Sequence, residues 1–97
     1  MIAYHLLPPA EEEMIEAALF YETASSGLGD DFLDDIQHAI DAAREHPALG
    51  AATAGGFRRM LVRRFPFTVI YAVESDQIVV LAIAHQRRRP EYWKGRM

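Results

Sequence analysis

The residues able to do chemistry are four histidines, a scatter of carboxylates and hydroxyls, and ten basic side chains, with no cysteine among them. Without thiols, disulfides, thiolate metal ligands and cysteine nucleophiles are excluded together. His5, His38, His46 and His85 are scattered, and no two have the i, i+4 spacing of a helical metal site. The stretch GLGDD (27–31) precedes a helix, but its aspartates repel the phosphate that a glycine-rich loop cradles. Ser25, Ser26, Thr68 and Ser75 lack a nucleophile-elbow context. Asp31 and Asp35 sit at helical spacing on a polar face and read as solvation rather than an acid–base pair. No metal and no cofactor is expected. His85 stands apart, because it marks the point where an apolar run meets a burst of arginine.

That burst is HQRRRPEYWKGR, residues 85–96. Arg58, Arg59, Arg63 and Arg64 alternate earlier along what reads as a strand. If the two segments are neighbours, Arg63 or Arg64 converges with Arg87 at one end of a sheet. Guanidinium groups there suit phosphate or carboxylate, and Tyr92 and Trp93 either stack on a base or fill an apolar pocket. The charge is divided to match. Residues 1–56 hold eleven Asp or Glu against Arg44, whereas residues 57–97 hold nine Arg or Lys against Glu74, Asp76 and Glu91. The net charge of −4 conceals an acidic half and a basic half.

Ninety-seven residues, 51% of them hydrophobic, make one domain with a core of its own. The N-terminus lacks the basic start of a signal peptide. The longest apolar run, IVVLAIA (78–84), is far short of the roughly 20 residues that span a bilayer. The expectation is a soluble cytoplasmic protein without membrane partners.

Residues 2–7 read as a first strand stopped by Pro8 and Pro9, since proline cannot continue a ladder. Pro9 or Ala10 opens a helix with Glu11, Glu12 and Glu13 at its positive end. Ala10, Met14, Ala18 and Tyr21 recur along it at helical spacing, and SSGLG (25–29) ends it. A second helix runs from about Gly29 to His46. Its apolar face is Phe32, Leu33, Ile36, Ile40 and Ala43, with Asp30, Asp31, Asp34, Asp35 and Asp41 towards water. Pro47 stops it. Residues 47–56 read as a loop of small residues. Strands follow at 57–64, 67–74 and 77–85, the last two joined by a turn at Ser75-Asp76. The last is apolar on both faces and belongs inside the sheet. The order β-α-α-β-β-β gives an α+β fold: a helical hairpin packed on one face of a mainly antiparallel sheet.

The segment FRRMLVRRFPFTVIYAVESDQIVVLAIAHQRRRPEYW, with GLGDDFLDDI…HP before it, resembles the RelE/ParE superfamily of toxins from bacterial type II toxin–antitoxin modules, the plasmid stabilisation proteins. The resemblance covers nearly the whole chain. It implies a toxin silenced by a cognate antitoxin whose C-terminal segment wraps around it, with Phe20, Phe32 and Met60 as apolar contacts. Two mechanisms divide the superfamily. ParE-like members poison DNA gyrase and need no catalytic residues of their own. RelE-like members cleave messenger RNA on the ribosome; in that case Arg63, His85, Arg87 and Tyr92 are the catalytic candidates. An acidic chain is repelled by the polyanionic ribosome, and Lys94 is the sole lysine. The balance favours the gyrase-directed side, with Arg64, Arg87, Arg88, Arg89, Tyr92 and Trp93 as target-binding residues. A non-toxic, partner-binding member is the remaining alternative.

Overall fold

The computed structural model describes all residues 1–97. β1 (Ala3–Leu6) leads into α1 (Pro8–Ala24) and α2 (Leu28–Glu45), followed by β2 (Ala51–Thr53), a short 3-10 turn, β3 (Phe57–Leu61), β4 (Phe67–Val73) and β5 (Gln77–His85). The sheet order is β1-β5-β4-β3-β2, with every pairing antiparallel except β1 on β5. No helix is long and apolar enough to cross a membrane. The α+β class, the element order and the helical hairpin agree with the sequence reading.

Prolines set the first boundary. Pro8 and Pro9 occupy the first turn of α1, where a missing N–H costs nothing. α1 and α2 meet across a tight turn in which Gly27 takes a left-handed φ of 88°. Glu22 holds this turn, its carboxylate accepting from the Gly27 and Gly29 N–H groups at 3.0 Å. A side chain at Gly29 would collide with the Ala18 carbonyl, so the close approach of the helices requires glycine there.

One face of the sheet receives the helices. Phe32, Ile36 and Ile40 of α2, with Ala10 and Ala18 of α1, pack on Phe67, Val69, Val80 and Ile83. The second face is covered only in part, by the chain after β5: Trp93 is 4% exposed and lies among Ile70, Ala72, Val79, Leu81 and Ala84. Two-sided cover explains why β5 is apolar throughout. It runs inside the sheet, one strand from the edge, between β1 and β4. Its pairing with β4 slips where Ile70 faces Ala82 but Tyr71 faces Val80, leaving Leu81 as the extra residue of a bulge.

Four sequence expectations need correction. Residues 47–56 are not all loop: Ala51–Thr53 pair antiparallel with Phe57–Arg59. Three small residues carry no periodicity, and only the partner strand makes them a strand. The strand expected to reach Arg64 stops at Leu61; Val62 is buried and still donates to the Phe67 carbonyl, but Arg64 takes a left-handed φ of 64°, so Arg63 and Arg64 belong to the following loop. Asp35 is buried at 6% exposure instead of facing water. Phe32, expected as a partner contact, is 0% exposed and packs against Phe65 and Phe67.

Candidate functional site

The nine arginines divide into two sets once their partners are traced. Arg44 donates to the Ile2 carbonyl and Asp41, and Arg58 to the carbonyls of Ala48 and Gly50. Arg64 forms a two-pronged pair with Asp35, both contacts 2.9 Å. Arg96 pairs with Glu13 and donates to the Leu81 carbonyl. These four are structural. Arg59, Arg63, Arg87, Arg88 and Arg89 form no ion pair and no side-chain hydrogen bond, and all five are exposed. An exposed guanidinium without an acceptor remains free for an outside anion.

Arg59, Arg88 and Arg89 line one groove of about 590 Å³ on the sheet face away from the helices. Register explains their meeting. Arg59 lies opposite Ile70, which in turn lies opposite Ala82, so the three share a face. The turns after β5 bring Arg88 and Arg89 back over that face. Leu61, Ile70 and Ala84 supply apolar floor, and Leu61 is 67% exposed. Arg63 lines a separate cleft beside α2 with Asp35 and His38, so the expected convergence of Arg63 with Arg87 does not appear in either groove. Arg64, held on Asp35 and in a left-handed φ of 64°, is a structural arginine rather than one of the free set.

The wall of the groove depends on a cluster at Glu13. Its carboxylate accepts from the Tyr92 hydroxyl at 2.6 Å, from Arg96 at 2.9 and 3.1 Å, and from the Ile83 N–H at 3.1 Å. The reason lies in the sheet. β1 ends at Leu6, so beyond Val80 the edge of β5 has no strand beside it. Glu13 takes the Ile83 N–H and Arg96 takes the carbonyl of Leu81, the bulge residue, so side chains satisfy both of these groups on β5. Burial, and then the hydrogen bond to Glu13, push the Tyr92 hydroxyl well above the ordinary tyrosine range. The hydrogen bond to Glu13 likewise raises Arg96. The Tyr92 ring carries Arg88 at 3.9 Å and Arg96 at 5.1 Å, a cation–π contact on each.

Of the other sequence candidates, His85 is half-buried. Its Nδ1 accepts the Arg87 N–H at 3.0 Å, and its ring meets Phe67 edge-on. Trp93 is buried, with Phe57 edge-on at 5.6 Å between centroids, so it presents no face to a base. Phe20 is 70% exposed on α1 and Met60 half-buried on β3. Sequence reasoning placed Glu13 only at the helix dipole and gave Arg59 and Arg96 no role in the site. A signal for Glu13 existed: it follows Ala10 by three residues and precedes Ala17 by four, which places it on the packed side of α1.

A family model described as the ParE toxin of the type II toxin–antitoxin system, parDE, matches residues 4–90. The chain belongs to this ParE toxin family. A solved structure described as the chromosomal ParDE TA system from P. aeruginosa superposes with a TM-score of 0.69 at 19% identity, covering 88% of this chain and 96% of that one. At that identity the likeness concerns the fold. No curated protein matches the sequence.

Proposed function

We propose that this ParE-family toxin acts on DNA gyrase through its arginine-lined sheet face, inhibits growth, and is neutralised in the cytoplasm by a cognate antitoxin. The observation that carries this reading is the state of the acid–base candidates. Tyr92 donates its hydroxyl to Glu13 and is pushed away from a useful pKa, and Arg63 lies in another cleft. A general acid or base must reach the transferred proton with a pKa near the working pH. His85, its Nδ1 already accepting the Arg87 N–H, and the free arginines remain, and the arginines suit binding rather than proton transfer.

The antitoxin is assigned to the outer side of α1. Ile15, Leu19 and Phe20 are 47%, 62% and 70% exposed there, with Glu11, Glu12 and Glu16 around them. An amphipathic segment carrying apolar residues and lysine or arginine matches that surface. Met60 can extend the contact; Phe32 cannot, being in the core.

The RelE-like alternative keeps one supporting observation, the five free arginines, which also suit an RNA backbone. Two assays on the purified protein separate the readings: gyrase supercoiling with trapping of cleaved DNA, and mapping of breaks in messenger RNA on translating ribosomes. Gyrase inhibition without RNA breaks is the expected result; RNA breaks with gyrase unaffected would overturn it.

A further inference from the structure

The five free arginines say that the target is anionic; the groove that three of them line says more. Its floor is aliphatic, with exposed Leu61 and, diagonal to it on the same face of the neighbouring strand, largely buried Ile70. Its aromatic residues offer nothing to stack upon. Trp93 is buried against Phe57, and the Tyr92 ring is occupied by Arg88 and Arg96. Single-stranded nucleic acid needs free aromatic faces beside its cationic track. The one carboxylate lining the groove, Glu91, is paired with Lys94 at 2.8 Å, so the local field stays positive.

We infer that this groove is a docking site for an extended acidic peptide segment of the toxin's protein target. An aliphatic side chain of that segment rests on Leu61 and Ile70, and its carboxylates meet Arg59, Arg88 and Arg89. The inference rests on the reading of a protein target and adds the chemistry that the target must present. Charge also separates this occupant from the antitoxin segment. A basic segment suited to Glu11, Glu12 and Glu16 on α1 is repelled by three unpaired guanidinium groups, so the two surfaces select different partners. A groove of this size falls within the range that holds a compact ligand of a few residues.

The chain has one tryptophan, Trp93, and it lines the groove, which supplies a fluorescence probe without labelling. The purified toxin would be titrated with a short peptide of glutamate and aspartate bearing a central leucine. The same peptide with lysine for each acid, and a single-stranded oligonucleotide of equal charge, complete the set. The acidic peptide is expected to shift Trp93 emission saturably, with no response to the basic peptide. The double variant Arg59→Glu, Arg89→Glu should weaken binding at least about tenfold. Arg63→Glu, half that change of charge and placed in the other cleft, should leave it within about twofold. Circular dichroism verifies that each variant is folded. Preference for the oligonucleotide, no binding of the acidic peptide, or equal weakening by Arg63→Glu overturns the proposal. The same double variant in the gyrase assay separates the two readings. Retained inhibition sinks the groove and spares the gyrase target; peptide binding by a toxin that leaves gyrase untouched spares the groove and sinks gyrase.

Discussion

Asp35 and Glu13 show how a single carboxylate, placed where the chain needs an acceptor, changes a neighbour's role. Each lies at the spacing of its helix's packed side, and each draws in an arginine that sequence alone assigns to the basic patch. Asp35 follows Phe32 by three residues and precedes Ala39 by four, so its burial was readable from the spacing. Its partner was not, because Arg64 comes 29 positions later on a loop with left-handed backbone. The hydrogen bond from Arg64 holds the Asp35 carboxyl below the ordinary aspartate range, against the opposing pull of burial. A lowered folded pKa gives stability that is present above the unfolded value, about 3.9, and lost as pH falls below it. Acid unfolding followed by circular dichroism should therefore show an Asp35→Asn variant less stable at neutral pH, with the gap to the parent narrowing below about pH 4. An unchanged gap would show that the pair contributes nothing through ionisation. Trp93→Ala should cost about 3–5 kcal/mol in urea unfolding, whereas Arg87→Ala or Arg89→Ala should stay within about 0.5 kcal/mol. That contrast tests whether the tail's tryptophan is packing and its arginines are surface.

The elements were legible wherever periodicity or a proline marked them. Both helices, the Ser75-Asp76 turn and the long apolar β5 follow from apolar spacing and breakers, and each falls within a few residues of its expected limits. β2 was not legible, because its existence depends on the register of β3. Nor was the tail, a set of turns held by contacts with residues far away in sequence. Trp93 as cover for the second sheet face was one of the two readings that composition left open. The clasp predicts a distinct response at this scale. Arg96→Ala removes the donor to Glu13 and to Leu81, so residues 86–95 should loosen while the sheet and helices persist. Trypsin cleavage after Arg87 or Arg88 should speed up severalfold, with the helical circular dichroism retained. Loss of the whole fold, or cleavage at the parent rate, would show that the clasp does not act on the tail alone.

Across the whole molecule, the division of charge seen in the sequence becomes a division of surface. Acidic residues populate the helices, and the unpaired arginines gather on the sheet and its tail. Three of the five free arginines were visible in HQRRRPEYWKGR; that Arg96 is not among the free ones was not, since its acceptor, Glu13, is supplied by α1. Leu19→Glu with Phe20→Ser on α1 should reduce antitoxin affinity at least tenfold and reduce self-association of the isolated toxin, while gyrase inhibition is retained. Light scattering and competition binding measure both. Inhibition lost together with antitoxin binding would mean that α1 also touches the target.

The clasp between Glu13 and Arg96 joins residues 83 positions apart, and β1 finds its only partner in β5. Both closures wait for the last part of the chain. Local pairs such as the helical hairpin can form during synthesis, but contacts this distant in sequence form late. The arginine wall therefore closes late in folding, after the helical hairpin has formed. Because α1 and its exposed apolar side belong to the early hairpin, that surface is complete before the groove wall exists, and the two faces of the molecule mature in sequence.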